Sequence, residues 1–128
     1  MLDRGSSSER EDAVSDTTAE NCFEAVATVD VVIPAFNEAN CIEGVLHDVI
    51  MARQDNRFKI ENIYVLSDAS TDQTDDIVQR VAKRDHRIKL ISKPERKGKQ
   101  DSINLAFSIS SADIVIFIDA DVRLANEH

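Results

Sequence analysis

The chain has 128 residues, enough for one ordinary folded domain, and it carries 24 acidic against 15 basic side chains. Its formal net charge of −9 argues against nucleic acid or an anionic membrane as the main partner, because both would repel it.

Two cysteines, Cys22 and Cys41, are too few for a disulfide scaffold, and their spacing is not that of a metal site. No apolar stretch is long enough to span a bilayer, and the first residues lack the apolar core of a signal peptide. We therefore expect a soluble chain in a reducing cytoplasm.

The first 27 residues have a different composition from the rest. They carry seven acidic residues against two arginines, so this stretch alone contributes −5 to the net charge. Their apolar residues are scattered and cannot form a buried face. We expect residues 1–27 to be an acidic, disordered leader and residues 28–128 to form the folded domain.

Strand and helix patterns alternate in the remainder. Short runs rich in apolar and β-branched residues predict strands at residues 29–35, 60–66, 87–92 and 113–118. Between them, apolar residues repeat at helical spacing in residues 42–50, 77–82 and 103–110. The first and last strands are continuous apolar runs, as expected for parallel strands covered on both faces. We predict an α/β fold, with an open, mostly parallel sheet and helices on both faces.

A polar cluster follows each predicted strand, at residues 34–38, 67–72, 93–99 and 119–121. In open α/β sheets, ligands bind outside the carboxyl ends of the strands, where the strand order reverses. Because all four clusters would lie on that edge, we expect them to form one binding site.

The last cluster places Asp119 and Asp121 two residues apart, directly after an apolar run. Residues two apart on a strand project to the same side, so both carboxylates can face one ligand. An isolated pair would more simply be a solvated cap of the next turn, but three other clusters accompany this one. Hard oxygen donors suit Mg²⁺ or Mn²⁺ beside a phosphate, so we predict a site for one of these ions here.

Asp68 follows the second strand directly, where its carboxylate could accept hydrogen bonds from the N–H edge of a nucleobase. Ser70 with Gln73 matches a capping box, so we expect residues 70–72 to cap the next helix. Phe36 lies at the carboxyl end of the first strand, where it can wall a base pocket. Asn37, by contrast, is well explained as the start of the first helix.

The basic run at residues 96–99 opens the third helix, where cations oppose the helix dipole. A purely structural role for these cations is therefore unfavourable unless an anion is bound there. A phosphate would be such an anion. The chain's glycines, Gly5, Gly44 and Gly98, form neither a Gly-x-Gly-x-x-Gly turn nor a Walker-type loop. This disfavours NAD-dependent and P-loop chemistry.

In their order along the chain, these clusters resemble the amino-terminal, nucleotide-binding half of a family 2 glycosyltransferase with the Rossmann-like GT-A fold. The resemblance covers about residues 29–121. The matching segments are residues 31–38 (VVIPAFNE), residues 67–74 (SDASTDQT), Lys97-Gly98-Lys99 with Asn104, and Asp119-Ala120-Asp121.

The resemblance implies a nucleoside diphosphate-sugar donor, with UDP and GDP both open, and a glycan, lipid or other hydroxyl acceptor. It implies inversion of the anomeric centre by direct displacement, with Asp68 binding the base and Asp119 with Asp121 holding the ribose and the metal-bound diphosphate. The implied nucleotide-binding set is Pro34, Ala35, Phe36, Glu38, Asp68, Lys97, Lys99 and Asp119; the implied metal ligands are Asp121 and Asp119.

Two positions depart from the family pattern: Ser67 stands where many members have a second aspartate, and Ala69 where glycine is usual. In the family, the general base and the acceptor region come later in the chain, so we expect the base beyond His128. We therefore expect this chain to bind nucleotide but to transfer sugar poorly by itself. Any attachment to the cytoplasmic face of a membrane would depend on sequence beyond His128.

Three other functions compete with the transferase. Residues 116–122 also resemble the nucleophile motif of haloacid dehalogenase-type phosphatases, with Asp119 attacking phosphorus, but that motif normally opens its domain. A sugar-phosphate nucleotidyltransferase should have a glycine-rich loop after the first strand, which residues 34–38 lack. A non-catalytic nucleotide-binding module would have the same fold and pocket, and it is the main alternative for the isolated chain.

Overall fold

The computed structural model describes residues 26–52 and 56–123. The predicted leader, residues 1–27, therefore lies outside the described residues except for its last two. The elements follow one another as β1 (Ala27–Ala35), α1 (Ile42–Ile50), β2 (Phe58–Ser67), α2 (Thr74–Ala82), β3 (Ile88–Ser92), α3 (Lys99–Ile109) and β4 (Ile114–Phe117). The predicted order of strands and helices is confirmed, with β1 and β2 each beginning two residues earlier than predicted.

The strands form one parallel sheet in the order β3-β2-β1-β4. The ends of β1, β2 and β3 are in register, because Ala35 pairs with Ser67 and Ser67 pairs with Ser92. On the other side of β1, Val32 pairs with Phe117 of β4. The chain thus runs outward from β1 to β3 and then returns to the free side of β1. The strand order reverses between β1 and β4. A ligand is therefore expected to bind outside the carboxyl ends of these two strands.

Helices cover both faces of the sheet, which confirms the predicted α/β architecture. Along β1, alternate side chains point to opposite faces. Val31 and Ile33 pack with α1 and α2, whereas Val32 packs with Leu66 and with Ala106 of α3. The side of α1 that faces the sheet is apolar and fully buried at Ile42, Val45, Leu46 and Val49. In the described part of the chain, no helix has both the length and the apolar composition needed to cross a bilayer.

The expectation that the last strand is buried on both faces is wrong. Ile114, Ile116 and Phe117 of β4 are 37%, 43% and 38% exposed. Within the described ranges, β4 pairs only with β1, and Phe107 of α3 contacts the Phe117 ring edge-on at 5.8 Å. A continuous apolar run cannot distinguish an interior strand from one at the border of the described sheet, because the pattern contains no information on neighbours.

The turn after β2 contains a strained residue. Ala69 has a φ of +61°, in the left-handed region that costs an L-residue roughly 1–2 kcal/mol. The turn is held by Asp68, whose N–H donates to the carbonyl oxygen of Ala35 at 2.8 Å and extends the pairing of β1 with β2. This backbone conformation explains why glycine suits the position.

We expect Ala69→Gly to raise the free energy of unfolding by up to about 1 kcal/mol, because relief of the left-handed strain exceeds the entropic cost of glycine. Urea unfolding of the two proteins measures the change. The matched control is Ala112→Gly, at a residue without positive φ, which should destabilise the chain. A loss of stability in both variants would contradict the strained conformation of Ala69.

Candidate functional site

A pocket of about 330 Å³ lies at the carboxyl ends of β1 and β4, where the strand order reverses. Eight of the nine residues predicted for the site line this pocket: Pro34, Ala35, Phe36, Glu38, Asp68, Lys99, Asp119 and Asp121. The ninth, Lys97, does not line it. The topology therefore brings together the clusters that the sequence places up to 87 residues apart, since Pro34 and Asp121 share one pocket.

The segment after β4 presents its two carboxylates from a fixed turn. The N–H of Ile118 donates to the carbonyl of Val32 at 2.9 Å, and the N–H of Val122 donates to the carbonyl of Asp119 at 3.1 Å. Between the two aspartates, Ala120 is 3% exposed and belongs to the hydrophobic core. Burial of the middle residue turns Asp119 and Asp121 toward the pocket.

Lys99 binds one of these carboxylates directly. Its Nζ donates to Asp119 Oδ1 at 2.7 Å, although both side chains are more than half exposed. The hydrogen bond with Asp119 and the charge of that residue raise the pKa of Lys99. The sequence left a cation at the start of α3 without an anion to offset the helix dipole. In the structure this anion is Asp119, which follows β4, and the Lys99 side chain that it binds also lines the pocket.

Asp68 is the most strongly held carboxylate of the site. It is 6% exposed, and its two oxygens accept the backbone N–H groups of Lys97 and Gly98, both at 2.8 Å. The ammonium of Lys93 lies 3.2 Å from Oδ1. Burial by itself would raise the pKa of Asp68, but these hydrogen bonds and the charge of Lys93 outweigh it and lower the pKa to about 2. Asp68 therefore anchors the loop between β3 and α3.

The position of Asp68 also explains the place of Lys97. This residue contributes its backbone N–H to Asp68, whereas its side chain does not line the pocket. The next residue, Gly98, has a φ of +91°, and a Cβ placed there would meet nothing within 4 Å. Glycine is favoured at this position by backbone conformation and not by crowding.

Arg96 covers the ring that was predicted to wall a base pocket. Its guanidinium carbon lies 3.6 Å from the centroid of the Phe36 ring, within the range of a cation–π contact. Its Nε is 3.6 Å from Asp68 Oδ2. Arg96 was predicted only as part of a basic run, whereas in the structure its guanidinium lies over the ring of Phe36.

Glu38 adds a fourth carboxylate to the pocket, beside those of Asp68, Asp119 and Asp121. Burial is the main cause that raises the pKa of its carboxyl, followed by the negative charges of Asp121, Asp72 and Asp119. The acidic end of the pocket therefore repels its own carboxylates, and a cation there would relieve this repulsion.

The loops after β1 and β2 are joined by side chains that were expected to cap helices. Ser70 does not cap α2: its Oγ accepts the N–H of Asn37 at 3.1 Å and bonds to Ser67 at 2.8 Å. Asn37 in turn accepts the N–H of Thr71 at 2.7 Å. The N-cap residue of α2 is Gln73, which makes no side-chain capping hydrogen bond, and the N–H of Thr74 donates to Asp72 at 2.9 Å. The expected capping box at Ser70 is therefore wrong, because a tertiary partner competes for its hydroxyl.

Two polar residues at or beside the pocket were given no individual role by sequence reasoning, although Lys93 belongs to the polar cluster at residues 93–99. Lys93 is 8% exposed, and its ammonium donates to Ser102 Oγ at 2.8 Å and to Asp101 Oδ2 at 3.0 Å. Ser102 lines the pocket and is 1% exposed. The available signal was weak: Lys93 follows β3 directly, and Ser102 lies one helical turn after Lys99.

The donor set at the acidic end fits a hard divalent cation that also binds a ligand. Asp119 and Asp121 supply carboxylate oxygens, and Mg²⁺ is usually held by one or two carboxylates together with substrate phosphates. Among the described residues, no group of three or more histidine, cysteine, aspartate or glutamate side chains is arranged to hold a metal ion. An ion at this place would take its remaining oxygen ligands from water or from a bound molecule.

Residues 30–128 match the sequence model of Glycosyl transferase family 2. Over 105 residues the chain is 35% identical to glucosyl-3-phosphoglycerate synthase of Mycobacterium tuberculosis, an alignment that covers 79% of this chain and 30% of that protein.

Two solved structures have a similar fold. The mannosyltransferase PcManGT from Pyrobaculum calidifontis, in complex with GDP-Man and Mn²⁺, aligns with a TM-score of 0.68 and 29% identity over 77% of this chain and 29% of its own. Glucosyl-3-phosphoglycerate synthase from Mycobacterium tuberculosis, in complex with Mn²⁺, UDP and glucosyl-3-phosphoglycerate, aligns with a TM-score of 0.61 and 26% identity over 76% of this chain and 36% of its own. The chain spans about a third of the length of these relatives.

The anchor at Asp68 predicts a specific loss of stability in acid. Its folded-state pKa of about 2 lies below the usual 3.8, so its contribution is complete above about pH 4 and is lost as the pH falls toward 2. At pH 7, Asp68→Asn should lower the free energy of unfolding by about 2 kcal/mol, the cost of losing hydrogen bonds to a charged group. Urea unfolding between pH 7 and pH 2 measures both effects.

The difference between wild type and Asp68→Asn should shrink below about pH 4, because Asp68 of the unfolded wild-type chain is then protonated, whereas Asp68 of the folded chain stays charged until about pH 2. The exposed Asp76→Asn is the matched control and should change stability little at pH 7. A difference for Asp68→Asn that stays constant from pH 7 to pH 2 would show that its charge does not hold the loop.

Proposed function

This chain belongs to glycosyl transferase family 2, and on that basis we propose that it binds a UDP- or GDP-sugar for metal-assisted transfer to an acceptor hydroxyl. The observation that carries the proposal is the pocket at the β1–β4 reversal. There Asp119, Asp121 and Lys99 line the pocket together with residues at the end of β1 and with Asp68, which follows β2.

The two ends of the pocket differ in chemistry, and this supports one orientation of the nucleotide. Phe36 and Asp68 offer an aromatic face and an acceptor carboxylate, which suit a nucleobase. Lys99, Asp119 and Asp121 form the charged end, which suits a diphosphate with its cation. We place the base at Phe36 and the diphosphate at the end of β4.

The base end is occupied in this conformation by protein groups. Arg96 lies over the face of Phe36, so a base that stacks on this face must displace the guanidinium. Three donors already surround the carboxylate of Asp68. A base that hydrogen-bonds to Asp68 would share these oxygens with the loop, which couples nucleotide binding to the position of residues 93–98.

At the diphosphate end, Asp121 and Asp119 would hold Mg²⁺ or Mn²⁺. When bound, the ion would stabilise the charge that grows on the leaving diphosphate. Lys99 would exchange part of its contact with Asp119 for a phosphate oxygen and would add a second positive charge there. Transfer by direct displacement, with inversion at the anomeric carbon, is part of the proposal.

The proposal assigns the donor site to this chain and assigns no general base to its described residues. The non-catalytic nucleotide-binding module is the second candidate, because the chain spans about a third of its relatives. Family membership favours the transferase over the haloacid dehalogenase-type phosphatase with Asp119 as nucleophile. The acceptor class and the cytoplasmic location stay predictions.

Calorimetric titration tests the donor site. We expect the chain to bind UDP or GDP in the presence of Mn²⁺, and binding to weaken strongly without the ion. Asp121→Asn should weaken the Mn²⁺-dependent binding by about 10-fold or more, because it removes one charged ligand of the ion. Sugar transfer to an added acceptor is not expected from this chain alone.

Asp76→Asn, the same chemical change at an exposed aspartate of α2, is the matched control and should bind as wild type does. Absence of binding of both nucleotides to a chain with a cooperative unfolding transition would contradict the proposed site. If nucleotide binding changes neither on removal of Mn²⁺ nor in Asp121→Asn, the assignment of Asp119 and Asp121 as metal ligands is wrong.

A further inference from the structure

An ion pair between an exposed arginine and a buried aspartate attaches the carboxylate turn to helix α1. Arg123 follows Asp121 by two residues, and its Nε and Nη2 donate to the two oxygens of Asp48 at 2.6 and 3.0 Å. Asp48 lies on α1 and is 2% exposed, whereas the side chain of Arg123 is 67% exposed. Two parallel hydrogen bonds from a planar guanidinium fix direction as well as distance.

Asp48 is an unusual residue for its position. It lies among the apolar residues by which α1 packs on the sheet, next to Val49 and one turn after Val45. A carboxylate buried at such a place is costly unless charged hydrogen-bond donors reach it. Arg123 brings such donors from a segment 75 residues away in the chain.

The surface of α1 is shaped to receive the arginine. Gly44 lies one turn before Asp48, on the same side of the helix. A Cβ at Gly44 would lie 3.4 Å from Cδ, Nε and Cζ of Arg123. The arginine side chain therefore lies directly across the backbone at Gly44 on its way to Asp48.

This pair completes the support of the turn that carries the proposed metal ligands. Before Asp119, the turn is held by the hydrogen bond from Ile118 to Val32; in its middle, it is held by the buried Ala120. After Asp121, Arg123 is tied to α1. Asp121 thus lies between two fixed points, Ala120 and Arg123.

We propose that Asp48 and Arg123 are positioning residues, which hold Asp121 in the orientation that binds a divalent cation with a nucleoside diphosphate. This rests on the proposed function, because it assigns a purpose to the turn within that site. The pair acts through Asp121, since neither Asp48 nor Arg123 lines the pocket.

The test uses Arg123→Gln, Arg123→Lys and the isosteric Asp48→Asn. Mn²⁺-dependent binding of UDP and GDP is measured by calorimetry, below the unfolding temperature of every variant. We expect about 10-fold or more weakening for Arg123→Gln and Asp48→Asn, the range typical of residues that orient metal ligands. Arg123→Lys should fall between these variants and wild type, because it keeps the charge and loses the paired hydrogen bonds.

The matched control is Arg80→Gln. Arg80 of α2 forms an ion pair with Glu43 of α1 at 3.4 Å. Both side chains are more than half exposed, and neither lines the pocket. This variant removes an ion pair of the same helix without touching the carboxylate turn. It should bind Mn²⁺ and nucleotide as wild type does.

A second readout does not need a ligand. The N–H of Val122 donates to Asp119 within the turn, so its hydrogen exchange reports opening of the turn in the ligand-free chain. Exchange at Val122 should be faster in Arg123→Gln and Asp48→Asn, by more than at the core residue Val65, and unchanged in Arg80→Gln.

The proposal is overturned if Arg123→Gln and Asp48→Asn bind the Mn²⁺-nucleotide within about twofold of wild type, since orientation of metal ligands is typically worth more. If wild type binds no nucleotide, the proposed function fails. The exchange at Val122 then decides the positioning role alone: selective acceleration supports it, and unchanged exchange overturns it.

Discussion

The pairing of β4 with β1 is the constraint on which the site depends. Had β4 been added beside β3, two strands, β3 and β2, would separate Asp119 and Asp121 from the loop that follows β1. Because β4 instead returns to the free side of β1, these carboxylates face Pro34 and Glu38 across a pocket of about 330 Å³. The parallel direction of all four strands brings their carboxyl ends to one edge.

Charge at this edge is balanced locally, although the chain as a whole is acidic. Asp68 is neutralised by Lys93 and by two backbone N–H groups, and Asp119 is paired with Lys99. Glu38 is not balanced in this way, and its raised pKa reflects burial and the negative charges around it. Two of these charges belong to Asp121 and Asp119, the residues that we assign to the cation.

Several side chains carry out a different task from the one that their local sequence indicated. Ser70 was expected to cap α2 and instead joins the loops after β1 and β2. Arg96 was expected in a phosphate-binding run and instead covers Phe36. In both cases a partner distant in sequence offers a better contact than the local one, and local patterns contain no information about such partners.

The alternation of strands and helices and the parallel sheet could be predicted from the sequence, because hydrophobic periodicity is a local property. The strand-end clusters together with the family resemblance predicted nine site residues, and eight of them line the pocket. The exposure of β4, the hydrogen bond from Lys93 to the pocket residue Ser102, and the contact of Arg123 with the buried Asp48 on α1 could not be predicted in this way. These contacts join residues from different elements, and their geometry follows from strand order and helix packing, which no local pattern specifies.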